Sequence, residues 1–273
     1  HILQNTLDAD MSSAISKKIS EKITLYPNHF ATEITTEKNK ISEVIIQNKE
    51  TKNIQNINTN LLIIAAGTKP ITDIAEKAGC DIGQTKGIKV DNTSSTTQKN
   101  IYAVGDCTEY KDYITGKPVL VGLGSIAVRQ GIAAGINAAG GLYTLPKGAL
   151  LTCTSDIFGI QIASVGPSSR FLEDYSLVSG KYQGSSLPPY FPGGKPITVK
   201  TKVDVSTGAI VAAQAVGENA AQRINTYASA MLGNLDISTF RTLETAYAPP
   251  VAPTLDVVTL AADIAMMKYQ RKK

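Results

Sequence analysis

Residues 197–217 read ITVKTKVDVSTGAIVAAQAVG. Apolar and polar residues alternate through two runs, and Ser206-Thr207-Gly208 separates them. Alternation with period two turns one face of a strand inward, and a short polar turn with a glycine sends the chain back antiparallel. The stretch predicts a β-hairpin seated on a core. IFGIQIASVG, residues 157–166, alternates in the same way. Glu218 to Leu232 has a helical pattern that Gly233 closes. Two proline-rich loops, LPPYFPGGKP and YAPPVAPTLD, precede the hairpin and a last helix. Residues 140–273 are thus predicted to form an α+β domain with an antiparallel sheet.

The first 60 residues have another texture, rich in Lys, Asn, Ile and Thr. Met11, Ala14, Ile15, Ile19 and Ile23 recur at helical spacing, and Asp8 or Asp10 can cap the start of that helix. Short β-rich runs follow around Ile34, Val44 to Gln47 and Ile54 to Ile57, split by EKNK and NKETKN turns. They predict a small antiparallel meander.

Residues 61–139 differ again. LLIIAAGTKP is a continuous apolar run ending in Gly67 and Pro70, the pattern of a strand buried on both faces. IYAVGD, residues 101–106, reads as a second buried strand closed by a carboxylate. LVGLGSIAVRQGIAAGINAAGG then reads as a strand end, a glycine turn and a helix that Gly140 and Gly141 stop. Gly131 and Gly135, four apart on that helix, leave room for another backbone to approach.

Composition narrows the function classes. The formal net charge is +4, the lysines are scattered and Trp is absent, which argues against a nucleic-acid surface of basic stripes with interleaved aromatics. No apolar run reaches the roughly 18 residues of a membrane span, and HILQNTLDAD is too polar for a secretory signal. A soluble, cytoplasmic protein is expected. Cys80, Cys107 and Cys153 form no C-x-x-C pair, so neither a disulfide framework nor a metal site is expected. His1 and His29 are the only histidines, which removes most histidine-based chemistry from the C-terminal two-thirds.

Two signals carry chemistry: A-x-G-x-x-P at Ala65, Gly67 and Pro70, and I-Y-A-x-G-D at Ile101 to Asp106. A glycine after a buried strand lets backbone approach a ligand, and open α/β sheets bind ligands beyond the carboxyl ends of their strands. Asp106 placed there can accept hydrogen bonds from the hydroxyls of a nucleotide's sugar or ribityl chain. The bland alternative is a turn or helix-cap aspartate.

TSSTTQKNIYAVGDC, with LLIIAAGTKP before it and LGSIAVRQGIAAGINAAG after it, closely resembles the FAD-linked pyridine nucleotide-disulfide oxidoreductases. The branch it is most similar to is that of NADH oxidase, NADH peroxidase and coenzyme A-disulfide reductase. LDADMSSAISKKI resembles the segment after that family's NADH-binding strands, and KVDVSTGAIVAAQAVG and YAPPVAPTLD resemble its dimerisation domain. The resemblance implies three parts: residues 1–60 as the end of an NAD(P)H-binding domain, residues 61–139 as the second segment of a Rossmann-like FAD-binding domain, and residues 140–273 as the dimerisation domain. It implies FAD and NAD(P)H as cofactors and a homodimer through residues 140–273. The electron acceptor would be oxygen, peroxide or a low-molecular-weight disulfide.

The resemblance also implies site residues. Asp106 would hydrogen-bond the ribityl chain of FAD, with Gly67 and Gly105 allowing close backbone approach. Gly124, Ser125, Ile126 and Ala127 would start a helix aimed at the flavin ring, where the helix dipole favours an anionic reduced flavin. Tyr247, before Pro249-Pro250, would reach the partner subunit's active site. Ala252-Pro253-Thr254 lacks the histidine of the glutathione-reductase class.

The family's two G-x-G-x-x-G fingerprints and its redox cysteine do not occur in the sequence. Gly122, Gly124 and Ala127 fit G-x-G-x-x-A only by coincidence of position. Cys107 beside Asp106 is read as packing, because a neighbouring carboxylate disfavours the thiolate. The chain is therefore expected to be the C-terminal part of a longer enzyme. The alternative is a non-catalytic dimerising fragment without cofactor. A ferredoxin- or rubredoxin-type FAD reductase shares the Gly-Asp motif but not Tyr-x-Pro-Pro.

Overall fold

The computed structural model describes residues His1–Lys273. Helix α1, Ala9–Ser20, buries Met11, Ile15 and Ile19, so the helical spacing holds but ends before Ile23. Strands β1 (His29–Glu37), β2 (Lys40–Asn48) and β3 (Ile54–Asn58) form the predicted antiparallel meander in the order β1-β2-β3.

The next stretch departs from expectation. Residues 61–70 form no strand, and Leu61, Ile63 and Ile64 are 70%, 80% and 77% exposed. A strand buried on both faces needs neighbours for its backbone groups and layers over its side chains. No strand of this chain pairs with this run. The IYAVGD reading is corrected likewise. Tyr102 makes one isolated bridge to Ser95, and Gly105–Cys107 is a turn of 3₁₀ helix. Asp106 therefore lies in a helical turn and not at the tip of a strand.

Helix α2 (Asp73–Lys77) is short, and β4 (Ile88–Lys89) runs parallel to β5 (Thr108–Lys111), which pairs antiparallel with β6 (Pro118–Leu120). Helix α3, Gly124–Ala138, follows a glycine turn as predicted, and Gly140, at φ +86°, ends it. Gly131 and Gly135 face open space, with nothing beyond the helix's own adjoining backbone within 4 Å of where a Cβ would stand.

The C-terminal half is a five-stranded antiparallel sheet. Its strands are β7 (Cys153–Ile157), β8 (Ile160–Val165), β9 (Leu177–Ser185), β10 (Pro196–Asp204) and β11 (Ile210–Gly217), in the order β7-β8-β11-β10-β9. The predicted hairpin is β10-β11, and Gly208 at φ +77° makes its turn. Helices α4 (Ala220–Leu232), α5 (Ile237–Phe240) and α6 (Val257–Lys272) cover one face and close the largest core, with Tyr227 and Phe240 at 4.7 Å between ring centroids.

Helix α1 covers the other face. Leu7, Met11, Ile15 and Ile19 pack on Ile162 and Val216, which are paired across β8 and β11. Beside this apolar patch runs a polar row through all five strands: Cys153, Ser164, Gln214, Lys200 and Lys181 are successive cross-strand partners. Asp8 precedes α1 but does not cap it. Its carboxylate instead accepts from Lys202, Lys200 and the Ser169 N–H. No helix is long and apolar enough to cross a membrane.

Candidate flavin site

The site centres on the contact between the Gly105–Cys107 turn and α3. Gly105 takes φ +78°, a conformation that side chains other than glycine adopt at a cost. A Cβ there would lie 3.4 Å from Ala127 Cβ, so the turn abuts the first turn of α3. Asp106 is exposed and its carboxylate has no hydrogen-bond partner in the chain.

The N-terminus of α3 is equally bare. Leu123 occupies the capping position and offers no side-chain cap, and the first turn has no acidic residue. The Ile126 and Ala127 N–H groups both donate to Leu123 O, whereas those of Gly124 and Ser125 find no acceptor in the chain. Gly124 has open space where a side chain would stand. Free amides at the positive end of a helix dipole suit an electron-rich group. A carboxylate acceptor and a donor-rich helix end thus lie side by side, which fits a cofactor that offers hydroxyls at one point and an anionic ring at another.

Of the predicted residues, Gly105, Asp106, Gly124, Ser125, Ile126 and Ala127 are together. Gly67 takes φ +104° as a turn glycine, with no other part of the chain within 4 Å of its Cβ position. Cys107 Sγ donates to Val104 O at 3.5 Å, a packing contact. Cys80 and Cys153 face Thr96 Oγ1 and Ser164 Oγ, and none of the three is in a disulfide.

Tyr247 lies elsewhere, on the second proline-rich loop, and its hydroxyl is 2.7 Å from that of Tyr190 on the first. Both side chains are exposed, and the hydrogen bond to Tyr247 holds the Tyr190 phenol above its ordinary range. Tyr190 carries no motif; the available signal was a tyrosine beside a Pro-Pro pair in each loop, Pro188-Pro189-Tyr190 and Tyr247-Ala248-Pro249-Pro250. Asp256 caps α6 through the Val258 N–H and pairs with Arg223 at 2.9 Å.

Residues 1–131 match the family described as pyridine nucleotide-disulphide oxidoreductase. The chain is 32% identical over 274 residues to a NADH oxidase of Methanocaldococcus jannaschii, covering 99% of this chain and 59% of that protein. Residues 1–131 are thus a pyridine nucleotide-disulfide oxidoreductase segment, and the similarity to such proteins runs on through nearly the whole chain. The chain is also 30% identical over 265 residues to a CoA-dependent NAD(P)H sulfur oxidoreductase of Pyrococcus abyssi, covering 96% of this chain and 58% of that one. Among solved structures, a NAD-dependent persulfide reductase from A. fulgidus superposes with a TM-score of 0.91 at 28% identity, over 98% of this chain and 49% of that one. The chain spans about three-fifths of the length of these curated family members.

Proposed function

We propose that the gene product is an FAD-dependent NAD(P)H oxidoreductase of the NADH oxidase or coenzyme A-disulfide reductase type. The observation that carries this reading is the unpartnered Asp106 carboxylate on a turn that abuts, through Gly105, the uncapped first turn of α3. Asp106 would accept hydrogen bonds from the ribityl hydroxyls. The free Gly124 and Ser125 amides would face the ring, with Ile126 and Ala127 shaping its floor. Bound FAD would supply hydride acceptance from NAD(P)H and onward electron transfer, while this chain orients it and sets its electrostatic surroundings. Gly67 would allow the neighbouring backbone to come close.

Support for further polypeptide around this site comes from surface apolarity. Ile63, Ile64, Val128 and Ile132 are exposed, and relatives are longer than this chain. In our reading, residues 61–64 gain strand neighbours within the complete FAD-binding domain, and the redox cysteine lies there too. Residues 140–273 form the homodimer, across which Tyr247, with Tyr190, offers a phenol to the acceptor. That acceptor is oxygen, peroxide or a small disulfide such as that of coenzyme A.

A second reading, a dimerising chain without cofactor, draws on the same exposed run at residues 61–64. Purification separates the two. The full-length gene product is expected to be yellow with a flavin absorption spectrum and to oxidise NADH or NADPH. A colourless, folded dimer that oxidises neither nucleotide supports the second reading.

A further inference from the structure

Behind the Gly105 turn lies a ring of buried hydrogen bonds that closes on one side chain of α3. Gln130 is fully buried. Its Oε1 accepts the Gly105 N–H at 2.8 Å, and its Nε2 donates to Thr108 Oγ1 at 3.2 Å. The Thr108 hydroxyl donates in turn to Gly105 O at 2.7 Å. Both backbone groups of Gly105 are thereby held from inside the molecule. Ser94, also fully buried, donates through Oγ to Gln130 O at 3.1 Å and fixes the helix at that point.

We propose that Gln130 is a positioning residue of the flavin site, an inference that rests on the reading of Asp106 given above. Ala127 and Gln130 stand three residues apart, on one face of α3. Ala127 meets the turn from outside and Gln130 holds it from within. The carboxylate aimed at the ribityl chain and the helix end aimed at the ring therefore form one rigid piece. The spacing between the two cofactor contacts is set by a buried amide. A buried donor that loses its acceptor is costly, so the turn has no equivalent alternative position while Gln130 is in place. The arrangement meets the requirement that a binding residue be locked by those behind it.

The test uses the full-length gene product carrying Gln130→Met, Gln130→Glu, Asp106→Asn, and Gln130→Met with Asp106→Asn. Two quantities are read: FAD affinity by quenching of flavin fluorescence, and hydrogen exchange at the Gly105 amide. Gln130→Met is expected to weaken FAD binding about tenfold and to speed exchange at Gly105. Gln130→Glu keeps an acceptor for that amide and restores most of the affinity. In the Asp106→Asn background, Gln130→Met adds little, because it acts through the same contact. Wild-type affinity in Gln130→Met, or losses that multiply independently, overturns the proposal. If Gln130→Met does not fold, Thr108→Val, which frees Gly105 O, is expected to give the same coupled loss, and its failure to do so overturns the proposal equally. Should Asp106→Asn bind FAD as wild type does, the reading of Asp106 fails and takes the proposal with it, whereas an effect of Asp106→Asn with none of Gln130→Met removes only the proposal.

Discussion

Lys202 Nζ lies 3.0 Å from Asp8 Oδ1 across 194 residues of chain, and the lysine side chain is 1% exposed. The pair fastens the segment before α1 to β10 of the C-terminal sheet. Burial alone would raise the Asp8 pKa. The charge of Lys202, the Ser169 N–H and the hydrogen bonds from Lys200 and Lys202 outweigh burial and hold the carboxyl well below its usual range. Asp8→Ala strands a buried ammonium, and we expect a loss of about 3–5 kcal/mol in chemical denaturation. Lys202→Met in that background should recover much of it. With the folded pKa depressed, the carboxylate's contribution is complete above the unfolded value and fades as pH falls below about 4. Asp8→Asn should flatten that acid limb, and an unchanged limb would refute the assignment.

Gly180 on β9 sits under α6. A methyl there would collide with Ala261 O and with the backbone of Ala265. Gly180→Ala is expected to lower stability by about 1–3 kcal/mol through overpacking. Gly131→Ala, whose side chain would enter open space on α3, should raise helix stability by up to about 1 kcal/mol in this chain. Thermal unfolding of the two variants measures the contrast.

The Tyr190–Tyr247 pair joins two proline-rich loops through one hydrogen bond. Spectrophotometric titration should find a phenol above the ordinary range in the wild type, and Tyr247→Phe should lower it toward that range by removing the hydrogen bond. If the pair serves the acceptor across the dimer, Tyr247→Phe also lowers turnover of the full-length protein with little effect on flavin content. Loss of flavin in that variant would contradict the role.

What the sequence disclosed, and what it hid, follows from where each signal was local. Strands β10 and β11 were legible because their alternation and Gly208 record a pleat and a turn within one stretch. Helix α1 was legible from its spacing, yet the partner of Asp8 was not, since Lys202 enters from the far end of the chain. Strand β9 was missed because Gly180 and Gly184 dilute its pattern, and Gly180 is there to admit α6. LLIIAAGTKP carried a true strand composition, but a strand needs neighbours and this chain provides none for it. Asp106 stands out in the sequence by its motif, whereas Gln130, a neutral residue inside a helix, carries no such mark.

The affinity of the full-length gene product for FAD, compared between wild type and Asp106→Ala by fluorescence titration, bears most directly on the central claim. With the carboxylate gripping the ribityl chain, the variant should bind about tenfold more weakly or worse at an unchanged unfolding temperature of the flavin-free protein. Equal affinity in the two proteins would contradict it.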